Sequence, residues 1–369
     1  MSEPTATIVL FPGDGVGPEV MAAAVTVLDA VSARFGYSFA TEELLIGGAA
    51  YDAYQEPIRS EDVDRCRRAD AALLGAVGGP KWDGVERELR PEQGLLTLRK
   101  SLRLFANLRP VSVFSALADA SPLKPELVRD VDLLVVRELT GGIYFGRPSR
   151  QWRERRGRVA VDTLVYREHE IERVVRLGFE LAGERKGRLA SVDKANVLES
   201  SRLWRAVATE VAADYPEVEL EHVLVDAMAM HLVRGPARFD VIVTENMFGD
   251  ILTDEASVIA GSIGLLPSAS VGPERANGNG RRFGLYEPIH GSAPDIAGQG
   301  RANPVGMILS VAAMLRLSLG LEDVAAAVEA AVGATLVSGC RTADVVSGTE
   351  TPLSTAEFGA AVAERVAAA

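Results

Sequence analysis

An α/β protein is what this sequence predicts, and three observations predict it. Short β-branched or apolar runs alternate with stretches that carry apolar residues at helical spacing, from one end of the chain to the other. The 369 residues suit two domains, or one large domain with a subdivided core. At 47% apolar, the chain has enough hydrophobic material to fill such a core.

Taken in order, residues 7–11 read as a strand and residues 12–18 as a turn, with Pro18 in the first turn of a helix. Val20, Ala24, Val27 and Val31 form that helix's apolar stripe, and Gly36 ends it. The turn holds Gly13, Gly15 and Gly17, whose third glycine comes one residue too early for the usual dinucleotide fingerprint. Close packing of strand against helix is the expected use of these glycines, so this is not a standard Rossmann site. Residues 71–76 form a second strand, followed by a turn over 77–82. A helix is expected over 91–108, with Leu95, Leu98, Leu102 and Phe105 on one stripe. A strand over 131–136 ends at Arg137 and Glu138, and 141–146 is a glycine-rich strand or loop. Further on come a helix (168–181), a strand (188–192), a helix opening at 193–196 and running to Ala213, and a strand (219–225) ending on Asp226. The strand 241–243 follows; Gly249 then punctuates the chain before another helix. A Gly/Asn/Arg loop spans 272–282, and three helices over 305–317, 321–336 and 355–366 complete the chain.

Charge narrows the function. With 39 basic and 51 acidic residues the net charge is −12, which argues against nucleic-acid or anionic-membrane binding. No stretch is apolar enough to span a bilayer, and the start of the chain lacks the pattern of a signal peptide. Cys66 and Cys340 lie in no metal-type spacing and suit a reducing cytoplasm, though one disulfide between them stays open. Six arginines crowd residues 147–158 against a single Glu. A solvated arm or a subunit contact is the favoured reading of that stretch over a nucleic-acid contact.

Chemistry concentrates at strand ends, where α/β folds place their ligands. Asp250 and Asp254, four apart, share one helix face; they read either as metal ligands or as a cap and a turn residue. Asp226 supplies a third carboxylate. Three carboxylates without a histidine at metal spacing favour Mg²⁺ or Mn²⁺ over zinc. His231, nearby but isolated, reads as structural. Arg99, Arg109 and Arg137 are singly ordinary ion-pair partners, but together they can clamp two carboxylates. Tyr144, among glycines, either points its hydroxyl into a cleft or packs on a sheet face. Lys194, at a strand end, is either a solvated lysine or a base whose pKa is lowered by neighbouring cations.

Several motifs then carry a resemblance. They are Phe11-Pro-Gly-Asp-Gly-Val-Gly-Pro-Glu19, Gly78-Gly-Pro-Lys-Trp82, Arg90-Pro-Glu-Gln-Gly-Leu-Leu-Thr-Leu-Arg-Lys100, Asn107-Leu-Arg-Pro110 and Arg137-Glu-Leu-Thr-Gly-Gly-Ile-Tyr-Phe-Gly146. The others are Val192-Asp-Lys-Ala-Asn-Val197, Val225-Asp-Ala-Met-Ala-Met-His231, Asn246-Met-Phe-Gly-Asp-Ile-Leu-Thr-Asp254 and His290-Gly-Ser-Ala-Pro-Asp-Ile-Ala-Gly298. In these the chain resembles, nearly end to end, the β-decarboxylating dehydrogenases of the isocitrate/isopropylmalate family.

The resemblance implies a fold of two α/β domains, a non-classical nucleotide site and a homodimer. One domain would comprise 1–104 and 262–369 on the cofactor side; the other would be an inserted substrate and dimerisation domain, 105–261. It implies that Arg99, Arg109 and Arg137 bind malate carboxylates, and that Asp250 and Asp254 hold Mg²⁺ or Mn²⁺ with Asp226 of a second copy. Lys194 of that second copy would be the base and Tyr144 the acid, so active sites would be shared. The segment 147–158 would be an arm between subunits. Leu95 and Leu96 match the segment that selects the substrate side chain, and suit a branched apolar group, hence 3-isopropylmalate over isocitrate, malate or tartrate. The alternative reading makes both leucines core residues of their helix. The cofactor-binding set carried over is Glu92, Glu287, His290, Gly291, Ser292, Ala293, Asp295, Ile296 and Asn303. Asp295 would meet the adenine ribose hydroxyls and repel a 2′-phosphate, so NAD is expected.

Overall fold

The structure, a computed structural model, describes residues 5–275, 281–346 and 351–369. The chain separates into two compact units: Met1–Leu104 with Phe114–Pro122 and Ala260–Ala369, and Phe105–Val113 with Leu123–Ile259.

The first unit opens with β1 (Ala6–Gly13), α1 (Gly17–Phe35), β2 (Phe39–Glu43), α2 (Gly47–Tyr54), α3 (Ser60–Arg68), β3 (Ala71–Ala76) and α4 (Pro91–Ser101). The second unit contains β4 (Ala106–Ser112), α5 (Pro125–Val128), β5 (Asp132–Glu138), β6 (Arg150–Glu154), β7 (Gly157–Val161), α6 (Glu168–Gly183), β8 (Arg188–Asp193), α7 (Glu199–Ala212), β9 (Glu219–Leu224), α8 (Val225–Arg234), β10 (Val241–Thr244) and α9 (Asn246–Ile259). The chain then returns to the first unit with β11 (Pro267–Glu274), β12 (Arg282–Pro288), α10 (Val305–Leu317), α11 (Glu322–Val337) and α12 (Thr355–Ala368).

Strand order in the first unit is β2-β1-β3-β12-β11, parallel except for the antiparallel β12–β11 pair. In the second unit it is β4-β5-β10-β8-β9, with β4 antiparallel to β5 and the rest parallel. The continuous apolar runs of β3 and β10 are buried throughout, as parallel strands covered by helices on both faces must be. Val9, Phe11, Leu74 and Leu285 from the strands pack with Leu98 of α4 and Cys66 of α3 in the first unit's core. Both cysteines are free thiols. Among the described residues no helix is long and apolar enough to cross a membrane.

The glycine-rich turn does what its spacing predicts. A side chain at Gly13 would stand 1.9 Å from the Ala76 carbonyl oxygen, and one at Gly17 would stand 2.1 Å from that of Pro12. Strand and helix meet too closely for any Cβ.

Five features differ from the sequence reading. The helix expected over 91–108 stops at Ser101: Arg103 turns back at φ +58°, and 106–112 pair with β5 as a strand instead. The helix expected to open at 193–196 starts at Glu199, because Asp193 closes β8 and its Oδ1 accepts the Ala195 N–H at 2.9 Å, forming a turn. Asp226 does not end a strand but lies in the first turn of α8. Gly249 does not break the chain; it sits inside α9, where a Cβ would stand 2.6 Å from Cγ of Arg137. The loop expected over 272–282 is partly strand, since β11 runs to Glu274 and β12 starts at Arg282; residues 276–280 lie outside those described.

Residues 114–122, placed by sequence in the inserted region, fall in the first unit. There Arg341 donates to the Ala116 carbonyl at 2.9 Å, and Gly261 abuts Ala120.

Candidate active site

One face of α9 gathers most of the expected chemistry. Arg137, at the end of β5, is buried; its Nε and Nη2 both donate to Asn246 Oδ1, at 3.0 and 2.8 Å. Its Nη1 donates to Asp250 Oδ1. The Tyr144 hydroxyl donates to the other oxygen, Asp250 Oδ2, at 2.8 Å. One helical turn on, Arg109 of β4 donates from Nη1 to Thr253 Oγ1 at 2.8 Å and lies 3.3 Å from Asp254 Oδ1. Its Nε donates to Asn107 Oδ1 at 2.9 Å. Asn107 pairs across the ladder with Arg137, so the antiparallel β4–β5 register delivers both guanidinium groups to one helix.

The charge balance is local. Two carboxylates four residues apart on a helix repel. Each here faces a guanidinium, and Asp254 is still largely exposed. The Tyr144 hydroxyl is pushed up to about 12, first by desolvation and then by its hydrogen bond to the Asp250 carboxylate, so it stays a proton donor at neutral pH.

Lys194 and Asp226 form a separate pair, Nζ to Oδ1 at 2.6 Å. The Asp226 carboxyl is held below its usual range, first by that hydrogen bond. Where the sequence led us to expect cations beside Lys194, its recorded partner is this carboxylate. Asp193, just before Lys194, is buried and gripped by Arg205 at 2.8 and 2.9 Å. Among the described residues no three of His, Cys, Asp and Glu come together as a metal-holding group. Asp226 therefore does not join Asp250 and Asp254 within the chain. The two carboxylates on α9, all oxygen donors, fit a hard cation.

A second set of residues lies in the first unit. Arg99 at the end of α4 pairs with buried Glu287 of β12, Nη2 to Oε1 at 2.6 Å. Leu95 packs against the hydrophobic core while Leu96 is exposed, so of the two leucines it is Leu95 that serves the core. Glu92 stands over Gly78, where a Cβ would lie 2.7 Å from its Oε1. The loop from His290 to Gly298 lies against the glycine-rich turn: the Val16 N–H donates to the Ser292 carbonyl at 2.8 Å, and a Cβ at Gly15 would stand 1.9 Å from that oxygen. Ala293 takes the left-handed region at φ +39°, while Gly291 has open space around its Cα. The His290 ring stays below its ordinary pKa, first through burial; its Nε2 is shielded from solvent and has no partner among the described residues. Asp295 and its neighbour Ile296 follow, with the Asp295 side chain exposed. An orphaned ring nitrogen, an open glycine and an exposed carboxylate on one loop fit a nucleotide. Asn303 is committed elsewhere: it is buried, its Nδ2 donates to Asp344 at 3.0 Å and its Oδ1 accepts the Val305 N–H at 3.0 Å, at the start of α10.

Sequence reasoning missed Asp14. Its buried carboxylate accepts the N–H groups of Gly48, Ala49 and Gly78, each at 2.8 Å, tying the glycine-rich turn to α2 and to the turn after β3. Burial raises its pKa, against the lowering effect of those three donors. An Asp between two glycines looks like turn chemistry, and nothing local marks it as a tether. Asn246 was likewise passed over, although its amide orients Arg137.

Comparison with known proteins agrees with this geometry. The family model for isocitrate/isopropylmalate dehydrogenase matches residues 7–362. A protein of Bacillus subtilis (strain 168) named 3-isopropylmalate dehydrogenase is 58% identical over 344 residues, 93% of this chain and 92% of its own length. One of the same name from Anaeromyxobacter dehalogenans (strain 2CP-C) is 59% identical, covering 92% of this chain and 94% of that protein. Among solved structures, isocitrate dehydrogenase from Methylococcus capsulatus superposes with a TM-score of 0.84 at 34% identity, over 98% of this chain and 99% of that one. With a match over nearly the whole chain, and with arginines, carboxylates and tyrosine converging on one helix face, this protein belongs to the isocitrate/isopropylmalate dehydrogenase family.

Proposed function

We propose that the protein is a 3-isopropylmalate dehydrogenase of leucine biosynthesis. It would oxidise (2R,3S)-3-isopropylmalate with NAD and release CO₂, giving 4-methyl-2-oxopentanoate. The observation that carries the reading is the α9 face, where Arg137, Tyr144 and Arg109 surround Asp250 and Asp254. The names of relatives at 58–59% identity support the substrate.

The carboxylate-binding roles fall to Arg99, Arg109 and Arg137, whose forks match a carboxylate bidentately. Asp250 and Asp254 would hold Mg²⁺ or Mn²⁺, which supplies Lewis-acid polarisation of the substrate's hydroxyl and later keto oxygen. NAD, which accepts the hydride from C2, would lie against the His290–Gly298 loop with Asp295 on the adenine ribose. Lys194 takes the hydroxyl proton as the C2–H bond breaks. Loss of CO₂ then returns the C–C bond electrons toward the ketone, and Tyr144 delivers a proton to carbon. A Tyr whose pKa is raised is suited to that acid role.

The protein acts in this reading as a homodimer in the cytoplasm. Lys194 and Asp226 pair apart from Asp250, which supports their service to a second copy's site. Met230 and Val233 on α8, with Ile251 and Val258 on α9, are exposed apolar side chains on the same helices as Asp226 and Asp250. The β6–β7 hairpin, exposed along β6, carries the arginine-rich arm. Two free thiols suit a reducing compartment.

Initial rates of NADH formation test this, with 3-isopropylmalate, isocitrate, malate and tartrate each offered with NAD and NADP. Turnover of 3-isopropylmalate with NAD is the expected result. A preference for another acid would overturn the substrate assignment and leave the chemistry standing.

A further inference from the structure

We propose that Glu245 carries a proton in the folded protein and donates it to Tyr166, so that a chain Glu245–Tyr166–Glu138 fixes the first peptide of α9 and, through Asn246, the Arg137 guanidinium. Tyr166 is buried, and three groups meet its hydroxyl oxygen. Glu138 Oε2 and Glu245 Oε2 both stand at 3.2 Å, and the Asn246 N–H donates to it at 2.9 Å.

A phenol has one proton to give and lone pairs to receive with. It can serve one of the two carboxylates. Were both ionised, the other would face an oxygen lone pair at hydrogen-bond distance with no proton between, inside a buried pocket. One additional proton resolves the conflict.

The donors decide where that proton sits. Glu138 accepts from Thr140 N–H at 2.9 Å, Thr140 Oγ1 at 2.7 Å and Gly141 N–H at 2.7 Å, and Arg173 lies 3.4 Å away. Three hydrogen-bond donors and a cation therefore serve this one carboxylate. Glu245 has two backbone donors, the Phe248 N–H at 2.9 Å from Oε1 and the Met247 N–H, but no cation pairs with it among the described residues. Asp193 of β8 lines the same small cavity, but Arg205 holds both of its oxygens. Among the described residues the other groups within electrostatic reach are Glu138, a like charge, and the titratable hydroxyl of Tyr144. Burial, first, raises the Glu245 pKa above its ordinary value, against the lowering effect of the Phe248 and Met247 N–H groups and of Tyr166, and the like charge of Glu138 adds to the rise.

The consequence reaches the site through one residue. Asn246 is held at its N–H by Tyr166 and at its Nδ2 by the Gly141 carbonyl, at 3.1 Å. Its Oδ1 then accepts two donors from Arg137. Tyr166 is thus a positioning residue, two steps from substrate.

Two measurements on the full-length protein test this. An infrared difference spectrum of wild type against Glu245→Gln at neutral pH should show loss of a protonated-carboxyl C=O band; loss of ionised-carboxylate bands instead overturns the proposal. The second compares KM and kcat for 3-isopropylmalate. Tyr166→Phe should raise KM roughly tenfold or more, with a smaller change in kcat. Glu245→Leu should do the same, and Glu245→Gln, which keeps an N–H to donate, should recover most of that loss. A folded Tyr166→Phe with unchanged KM, or a Glu245→Gln as impaired as Glu245→Leu, overturns the positioning role. The KM readout rests on the proposed substrate and the infrared band does not, so failure of the two readings is distinguishable.

Discussion

The Tyr144 hydroxyl donates to Asp250 Oδ2 at 2.8 Å while Arg137 holds the same carboxylate's other oxygen. In the proposed function the acid, a metal-holding carboxylate and a substrate-binding cation would thus meet in one group. Removing the hydroxyl removes the acid and leaves the Arg137–Asp250 pair. Tyr144→Phe should therefore lower kcat by roughly 10²–10⁴ while changing the KM for 3-isopropylmalate little. Steady-state kinetics decide it; an equal rise in KM would assign Tyr144 to binding instead.

Gly249 allows Arg137 to lie across α9. A methyl there would stand 2.6–3.1 Å from three carbons of the buried Arg137 stem, not from its flexible end. Alanine raises helix propensity by up to about 1 kcal/mol, but here the guanidinium must move. Gly249→Ala should lower the melting temperature and raise the KM for 3-isopropylmalate several-fold. A more stable variant with unchanged KM would show that the stem can yield.

The proposed metal site rests on the oxygen-only donor set on α9. A chelator should abolish turnover, and Mg²⁺ or Mn²⁺ should restore it. Asp254, exposed and only 3.3 Å from Arg109, is the weaker-held of the two carboxylates. Asp254→Asn should raise the metal concentration for half-maximal rate roughly tenfold or more, measured by titrating metal into stripped enzyme.

The proposed preference for NAD rests on one exposed carboxylate. Asp295 is expected to bind a ribose diol and to repel a phosphate. The double change Asp295→Lys with Ile296→Tyr should move the preference from NAD toward NADP, by roughly a hundredfold in the ratio of kcat/KM values. A ratio unmoved by the pair would remove Asp295 from the nucleotide site.

The two thiols should react very differently. Cys66 is fully buried in the core, and desolvation, first, pushes its pKa up to about 12. Cys340 is partly exposed. Since the thiolate is the nucleophile, iodoacetamide at neutral pH should label Cys340 in the native protein and spare Cys66 until it unfolds, as peptide mass spectrometry would show.

What the sequence determined by itself was the α/β class and a set of candidate site residues. Buried parallel strands such as Val241–Thr244 announce themselves as unbroken apolar runs, and the family's motifs sit in contiguous stretches. The use of the close-packed glycines at 13 and 17 was also legible, because their spacing excludes the standard nucleotide turn. The tertiary structure alone decided how those members are held. The helical stripe reads on to Leu108, and only pairing with β5 makes residues 106–112 a strand that brings Arg109 beside Arg137. Gly249 looks like punctuation until the Arg137 stem is seen against it. Asp14, Asn246 and the Glu245–Tyr166–Glu138 chain carry no local signature: their partners lie 28 to 109 residues away. Which carboxylate keeps a charge and which keeps a proton depends on the donors that folding brings to each, and residue order does not record that.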